Sequence, residues 1–193
     1  QMVFRDATET TVIRNNRWRC DHGWDIDLDD GSSNYHIYNN LCLHGGLKLR
    51  EGFARTVENN IMVNNTFHPH VWFANSQDIF RHNIVTTPYR PIQVKEWGKE
   101  TDTNFFVTKQ GLEQAQKRGT DLHSLYGDPL FIAPEKGDYR VKENSPALKT
   151  GFRNFDMEHF GVQCPHLKAL AATPELPVFK IPEEKPETVQ MYS

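Results

Sequence analysis

Four aspartates lie close together in the stretch Gly23–Gly31, which reads Gly-Trp-Asp-Ile-Asp-Leu-Asp-Asp-Gly. Asp25, Asp27 and Asp29 alternate with an isoleucine and a leucine, the pattern of a strand with one buried and one exposed face. If the apolar side chains enter a core, the three carboxylates share the opposite face, and Asp30 extends the acidic surface. Like charges at this spacing repel one another. We therefore expect positive side chains, a substrate or an ion beside them.

A recurring asparagine signature indicates how this strand is positioned. Asn16, Asn40, Asn60, Asn83 and Asn104 follow one another at intervals of 24, 20, 23 and 21 residues. A period in the low twenties with small slips indicates a solenoid, and short strand-like runs without helical periodicity indicate coils made of strands. We therefore predict an all-β fold, a right-handed parallel β-helix, in which the asparagines stack as a ladder at one bend of each coil.

The ladder also predicts which side chains neighbour the aspartates. Residues 25–31, 46–52, 70–76 and 91–97 are predicted to lie over one another, with apolar side chains in two inward columns. The outward columns then hold Asp27, Lys48, Trp72 and Gln93, and Asp29, Arg50, Ala74 and Lys95, while the strand ends hold Asp30, Glu51, Asn75 and Glu96. Pairing of the aspartates with Lys48 and Arg50 is expected to keep both carboxylates ionised.

Three segments of different character divide the chain. Residues 1–108 hold the coils, and residues 109–163 are predicted to close the β-helix with a helix over Thr108–Gly119, two strands and a short helix opened by Ser145. Residues 164–193 are rich in proline, as in an extended tail or linker. Because Met2-Val-Phe enters at coil level without a capping helix, we expect an N-terminal β-helix portion or a second chain to complete the solenoid.

The composition excludes several classes of function. The chain has 193 residues, 37% of them hydrophobic and 24% charged, with a net charge of -3. It has no basic block of the kind that binds nucleic acid and no apolar run long enough to span a membrane. Three cysteines without a CxxC spacing argue against a disulfide framework and a structural zinc site. His68-Pro-His70 is typical of a turn more than of a metal site, so we predict no metal.

Two carboxylate pairs fit glycoside hydrolysis. Asp30 and Glu51, stacked on adjacent coils about 5 Å apart, suit a retaining enzyme, whereas Asp27 and Asp29, about 6.6 Å apart along one strand, suit an inverting enzyme. We expect Asp27 or Asp29 to act as base or nucleophile and Glu51 as general acid. A sugar ring is expected to stack on Trp72. Further substrate contacts are expected from Asp25, Asp30, Lys48, Arg50, His70 and Glu96.

The same stretches resemble a group of known enzymes. The runs Gly-Trp-Asp-Ile-Asp-Leu-Asp-Asp-Gly-Ser-Ser-Asn34 and Leu-Lys-Leu-Arg-Glu-Gly52, with the later motifs Gly127-Asp-Pro-Leu-Phe and Ser145-Pro-Ala-Leu, resemble bacterial β-helix carbohydrate enzymes. The nearest in kind are glycoside hydrolases of the family 120 and family 141 type, and the resemblance spans roughly residues 12–162. It implies a secreted or periplasmic hydrolase of polysaccharide degradation that acts on a plant or host glycan without a cofactor. Its catalytic pair would be Asp27 or Asp29 with Glu51.

Two other functions stay open. A pectate-lyase-like enzyme would hold calcium with Asp25, Asp27, Asp29 and Asp30 and would use Lys48 or Arg50 as the base. A non-catalytic β-helix would bind a glycan at the same surface without turnover. An oligo- or polysaccharide is the partner in all three hypotheses.

Overall fold

A computed structural model of the chain describes residues 8–161 and 164–167, and residues up to Gly161 form one unit. All the structure that follows lies in that unit. The predicted entry at Met2-Val-Phe, and the predicted tail apart from residues 164–167, lie outside the described residues.

The architecture is a parallel β-helix, as the asparagine period predicts. In chain order its strands are β1 (Thr11–Arg14), β2 (Arg17–Trp18), β3 (Ile26–Leu28), β4 (Tyr35–Tyr38), β5 (Leu41–Cys42), β6 (Leu47–Leu49), β7 (Arg55–Glu58), β8 (Ile61–Met62), β9 (Phe67–Pro69), β10 (Ile79–Arg81), β11 (Ile84–Val85), β12 (Glu100–Asp102), β13 (Phe105–Phe106), β14 (Leu125–Tyr126), β15 (Phe131–Ala133) and β16 (Asp138–Val141). Strands of successive coils pair in parallel to form three sheets. We call them sheet A (β1, β4, β7, β10, β12), sheet B (β2, β5, β8, β11, β13, β14) and sheet C (β3, β6, β9).

The asparagine ladder forms at the bend between sheets A and B. The residue before each ladder asparagine has a positive φ, for example 53° at Asn39 and 56° at Asn59, a conformation that asparagine tolerates well. The next asparagine then points inward. Asn40 donates from its backbone N and from Nδ2 to Oδ1 of Asn60, at 2.9 and 3.0 Å. The same arrangement repeats along the stack, so the bend of every coil is fixed by its neighbour.

The ladder ends on a buried carboxylate. Asn104 donates to Oγ of Ser124 and to Oδ1 of Asp121, at 2.7 and 3.0 Å. Burial raises the pKa of Asp121 to about 6, against the opposing effect of hydrogen bonds from Asn104 and Ser124. Every ladder amide donates toward this end of the β-helix, so Asp121 receives the last donor.

The core between the sheets is mainly apolar and encloses one fully buried ion pair. Side chains such as Ile37, Val57 and Phe80 of sheet A face Leu49 and Phe67 of sheet C, and all five are fully buried. The rings of Phe67 and Phe80 stack at a centroid distance of 3.9 Å.

Arg55 and Asp78 form that ion pair. Neither side chain is exposed to solvent. Arg55 Nε donates to Asp78 Oδ1 at 3.0 Å and Arg55 Nη2 donates to Asp78 Oδ2 at 2.6 Å, while the backbone N of Arg55 also donates to Oδ1. The arginine further donates to the carbonyl of Arg50. A bidentate pair with additional backbone bonds is the geometry in which a buried charge pair is tolerated.

A helix covers the C-terminal end of the core. Helix α1 (Lys109–Lys117) begins at the cap residue Thr108, whose side chain accepts a hydrogen bond from the backbone N of Gly111. Leu112 and Ala115 face the core, as the sequence predicts, and Gly119 has a φ of +84° just beyond the helix.

The C-terminal segment, residues 131–160, lies along the outer face of sheet B. It consists of the antiparallel pair β15 and β16, a 3₁₀ helix at Pro146–Thr150 capped by Ser145, and the residues that follow. Its buried side chains, which include Val141 and Phe152, cover the outward-facing Leu41, Ile61, Ile84 and Phe105 of sheet B. The predicted elements are present, but these strands cover the side of the β-helix, whereas its end is covered by α1.

Two glycines permit close stacking of the coils between sheets B and C. A Cβ at Gly45 would lie 2.4 Å from both the backbone N of Asp25 and the carbonyl O of Gly23. A Cβ at Gly46 would lie 2.3 Å from the carbonyl O of Thr66. This bend therefore has no room for side chains, and it brings β6 directly over β3.

Candidate functional site

The outer face of sheet C carries the candidate site. Register pairs of β3 and β6 place Asp27 beside Lys48, as predicted, and β6 pairs with β9 so that Lys48 lies beside His68. We call the surface formed by Trp24, Asp27, Asp29, Lys48, Arg50, Glu51, His68 and His70 the sheet C patch. Its side chains come from three successive coils.

Lys48 joins the two aspartates at the centre of the sheet C patch. Its Nζ lies 2.8 Å from Asp27 Oδ1 and 3.2 Å from Asp29 Oδ1, and its side chain is only 6% exposed. A hydrogen bond from Lys48 lowers the pKa of Asp29. Burial disfavours the charge of Lys48, but the hydrogen bonds to Asp27 and Asp29 outweigh burial and raise its pKa. Asp29 therefore stays a carboxylate and Lys48 stays an ammonium at neutral pH.

Arg50 lies near Asp29 and two further carboxylates, Asp30 and Glu51. Its Nε lies 3.3 Å from Asp30 Oδ1, 3.7 Å from Asp29 Oδ1 and 3.9 Å from Glu51 Oε2. Taken together, the last two distances place the Asp29 and Glu51 oxygens no more than 7.6 Å apart. That limit includes the separation of about 5–5.5 Å found in retaining glycosidases and the lower part of the inverting range.

His68 has a defined tautomer. Asn65 Nδ2 donates to the carbonyl O of Gly45, so Asn65 Oδ1 faces His68 and accepts from its Nε2 at 2.6 Å. The proton on Nε2 leaves Nδ1 as an acceptor. Burial, followed by the charges of His70, Arg90 and Lys48, lowers the pKa of His68 to about 4. The imidazole is thus neutral and fixed in orientation.

The lowered pKa of His68 makes stability depend on pH. Above pH about 6.5 the imidazole is neutral in both folded and unfolded chains; between about 6.5 and 4 only the unfolded chain takes up the proton. The contribution of His68 to stability should therefore fall as the pH is lowered through this window, opposite in sign to that of Asp121, whose pKa is raised to about 6. We expect His68→Gln to reduce the slope of the unfolding free energy against pH, measured by denaturant titration from pH about 7 to about 4.

The control for this prediction is His22→Gln at an exposed position. That variant is expected to keep the wild-type slope. An unchanged slope in His68→Gln would show that the folded protein binds a proton at His68 as readily as the unfolded chain does.

His70 contributes a second imidazole to the sheet C patch. Its Nε2 atom is buried and has no hydrogen-bond partner within the described part of the chain. Burial lowers the pKa of His70, and so do the charges of Lys48 and Arg50, whereas Asp27 and Asp29 oppose the shift. A buried ring nitrogen without a protein partner is a group that a bound hydroxyl or water can satisfy.

Trp24 is the aromatic residue of the sheet C patch. Its ring centroid lies 4.3 Å from Lys48 Nζ, within cation–π range. The same ring makes edge contacts with His68 and His70, at centroid distances of 5.8 and 5.9 Å. Trp24 is partly exposed, so it presents an aromatic surface beside the charged groups.

Trp72 does not lie on this surface, contrary to the sequence prediction. It is 5% exposed, packs against Phe67 and donates from Nε1 to the carbonyl O of Leu49 at 2.9 Å. The prediction placed Val71 over Leu47, but Phe67 occupies that position. The prediction was thus four residues out of register in the third coil, and it treated Val71 and Trp72 as part of the strand. The strand ends at Pro69, the chain turns at Val71 with a φ of 52°, and Trp72 packs in the core. The fourth coil is displaced by one residue, since Ile92 pairs with His70.

The prediction that Asp25 lines up with Asp27 and Asp29 on the exposed face is also wrong. It is 7% exposed, and its oxygens accept from the backbone N of Cys20, His44 and Gly46 at 2.6, 3.0 and 3.1 Å. These bonds tie two neighbouring coils together. The acidic line on sheet C is thus reduced to Asp27 and Asp29, which are partly exposed.

Glu96 lies away from the centre of the sheet C patch. It is exposed, and its Oε2 accepts from the backbone N of Asn75 at 3.2 Å, which supports the predicted neighbourhood of these two strand ends. Within the described residues it has no hydrogen bond or ion pair with Asp29, Arg50 or Glu51. We therefore leave Glu96 out of the site.

The sequence offered a signal for His68 that the hydrophobic pattern obscured. Leu47 and Phe67 each follow their ladder asparagine, Asn40 and Asn60, by seven residues. Counting from the ladder places His68 beside Lys48. Trp24 had no comparable signal, because its position depends on the turn that precedes β3.

In residues 8–161 and 164–167, no three His, Cys, Asp or Glu side chains are grouped so that they could hold a metal ion. None of the helices described there has the length and apolar character needed to cross a membrane.

Comparisons with known proteins return no similarity: no family model matches the chain, and neither a curated protein nor a solved structure matches it. The parallel β-helix is compatible with carbohydrate-active enzymes but does not by itself specify an activity.

Proposed function

We propose that the protein is a glycoside hydrolase that cleaves a glycan bound across the sheet C patch. The observation that carries the proposal is that Asp29 Oδ1 and Glu51 Oε2 lie 3.7 and 3.9 Å from Arg50 Nε, so the two oxygens are no more than 7.6 Å apart. Two carboxylates at such a separation are the catalytic groups of most glycosidases.

The two carboxylates have different surroundings, which supports different roles. Lys48 and Arg50 hold Asp29 as an anion, the state required of a nucleophile or a general base. Glu51 is less exposed than Asp29, with 21% of its side chain accessible against 51%, and its nearest cation is at the limit of an ion pair. We assign Glu51 as the proton donor to the leaving oxygen.

The remaining side chains suit a sugar as the ligand. Trp24 offers an apolar ring face for the C–H groups of a pyranose. The fixed Nδ1 of His68 and the unpaired Nε2 of His70 can bond to hydroxyl groups. A few oriented polar groups beside an aromatic surface are typical of a site for a polar organic ligand.

A lyase mechanism is less well supported. The base of such a mechanism must lose its proton at neutral pH, whereas the pKa of Lys48 is raised by Asp27 and Asp29. Calcium would have to displace Lys48 from both aspartates. The proposal therefore favours hydrolysis.

The test is a screen of the protein against aryl glycosides, followed by proton NMR of the anomeric product. Asp29→Asn and Glu51→Gln are each expected to lower kcat/KM by at least about a hundredfold, while Glu113→Gln on α1 should leave it unchanged. Retention of configuration would assign Asp29 as the nucleophile, and inversion would assign it as the base.

Three results would contradict the proposal. Wild-type rates in both variants would remove Asp29 and Glu51 from the chemistry. An unsaturated product that absorbs in the ultraviolet and disappears with chelator would favour the lyase. Binding of oligosaccharides without turnover would favour a glycan-binding β-helix.

A further inference from the structure

The outer face of sheet A carries a second group of polar side chains, on a different sheet from the sheet C patch. Register pairs place Tyr38 beside Glu58, and Glu58 beside Arg81. The neighbouring column places His36 beside Thr56. A groove of about 410 Å³ is lined by His36, Thr56, Glu58 and Arg81 together with Tyr35 and Thr10.

The polar groups of this groove are held in one arrangement. His36 Nε2 lies 2.8 Å from Glu58 Oε1, and Arg81 Nε donates to Glu58 Oε2 at 2.9 Å. Arg81 Nη1 also donates to Glu100 Oε2 at 3.2 Å. Burial acts to raise the pKa of Glu58, but hydrogen bonds from His36 and Arg81 outweigh it and lower the pKa. A ligand would meet these groups already oriented, which reduces the entropy lost on binding.

Aromatic rings extend the groove along the sheet. The His36 and Tyr38 rings are 4.4 Å apart, tilted by 37°. Arg14 donates from Nη1 to the Tyr38 hydroxyl at 2.9 Å, and its guanidinium carbon lies 5.9 Å from the Tyr38 ring centroid. Tyr38 is thus fixed on the surface by a neighbour on the preceding coil, with its ring beside the polar row.

Some hydrogen-bonding capacity in the groove is unused. Within the described residues, the Thr56 hydroxyl and the Nδ1 of His36 have no hydrogen-bond partner, although both residues line the groove. The charges are unevenly distributed, because Arg81 has two carboxylate neighbours, Glu58 and Glu100. The groove therefore offers donors, acceptors and flat rings, and the formal charges of Arg14, Arg81, Glu58 and Glu100 balance, so no excess positive charge attracts an anion.

We propose that this groove on sheet A is a second glycan-binding site, selective for a neutral oligosaccharide, in which Glu58 and Arg81 bind hydroxyl groups and the His36 and Tyr38 rings contact the sugar faces. The site makes no use of the carboxylates of the sheet C patch. It would hold a long chain on the protein without cleaving it.

The experiment records ¹⁵N–¹H spectra of the full chain carrying Asp29→Asn, which prevents turnover. The probes are xylohexaose, cellohexaose and, as the anionic contrast, trigalacturonic acid, each at millimolar concentration. We expect at least one neutral hexaose to shift amide signals of β4, β7 and β10, and trigalacturonic acid to leave them unchanged. His36→Ala and Glu58→Gln should each weaken that binding by at least about tenfold, whereas Lys109→Ala on α1 should have no effect.

The outcomes separate this inference from the proposed hydrolase. Shifts on sheet A that survive in the absence of any hydrolytic activity support the second site even if the hydrolase proposal fails. Shifts confined to sheet C, binding that His36→Ala and Glu58→Gln leave intact, or no shift on sheet A with either hexaose would overturn the second site. Preference for trigalacturonic acid would overturn its assignment to neutral glycans.

Discussion

Replacing Asp78 with alanine is expected to lower the free energy of unfolding by about 3–5 kcal/mol, because the buried Arg55 guanidinium loses its counter-charge. The loss is larger than for a surface pair because neither side chain is exposed. The backbone N of Arg55 also loses its acceptor. Guanidinium chloride titrations of wild type and variant, compared at an unchanged slope, measure the difference.

A double variant separates the charge effect from the loss of packing. Arg55→Met combined with Asp78→Leu removes both charges. We expect this double variant to lose less free energy of unfolding than the two single variants, Arg55→Met and Asp78→Leu, lose in sum. Glu113→Ala is the surface control: it breaks the exposed ion pair with Lys109, 3.1 Å long, and should cost under about 0.5 kcal/mol. A cost for Asp78→Ala as small as that of Glu113→Ala would contradict the importance assigned to the buried pair.

The second large effect is expected in the buried part of the ladder, where Asn83→Ala should cost about 3–5 kcal/mol. Asn83 is fully buried; it accepts from the backbone N and Nδ2 of Asn60 and donates to Asn104 and to the carbonyl O of Val57. Alanine would leave the Asn60 N–H and the Val57 carbonyl buried without partners, and each such group costs about 1–3 kcal/mol.

Asn16→Ala provides the matched control at the opposite end of the same ladder. Asn16 is partly exposed, so the groups it leaves behind can bond to water. We expect a cost under about 1.5 kcal/mol for this variant. If Asn16→Ala and Asn83→Ala destabilise the chain equally, the ladder does not owe its strength to burial. Thermal unfolding followed by circular dichroism measures both variants under the same conditions.

The fold was predictable because its signals are local and repeated. The ladder asparagines mark every coil, and the alternation around Ile26 and Leu28 sets the facing of β3. Helix α1 was predictable from its cap residue Thr108 and from Gly119 just beyond its end. The path of the C-terminal segment had no local signal, because it is decided by which outward face of the β-helix is apolar.

The candidate site was predictable only where the register was certain. The pairing of Asp27 with Lys48 was correct, since both strands alternate clearly. The third coil was misaligned because the proline in Phe67-His-Pro-His argues against a strand, whereas Val71-Trp-Phe resembles an apolar strand. A one-residue slip moves every side chain to the opposite face, whereas a four-residue slip keeps the facing and changes which side chain lies beside Lys48. The burial of Arg55 was not predicted either, because its partner Asp78 belongs to the next coil and the pairing depends on the register between the two coils.

The C-terminal segment also changes how the β-helix can come apart. In a stack of coils that touch only their neighbours, the end coils can fray independently, as in a one-dimensional array. Here Arg17 of the first coil donates to the carbonyl of Gly137, Asn59 exchanges hydrogen bonds with Arg153, and His82 bonds to Thr150. One continuous segment thus ties the first coil to the later ones. Fraying at the coil of Arg17 must break contacts that the later coils share, so we expect the described coils to unfold together.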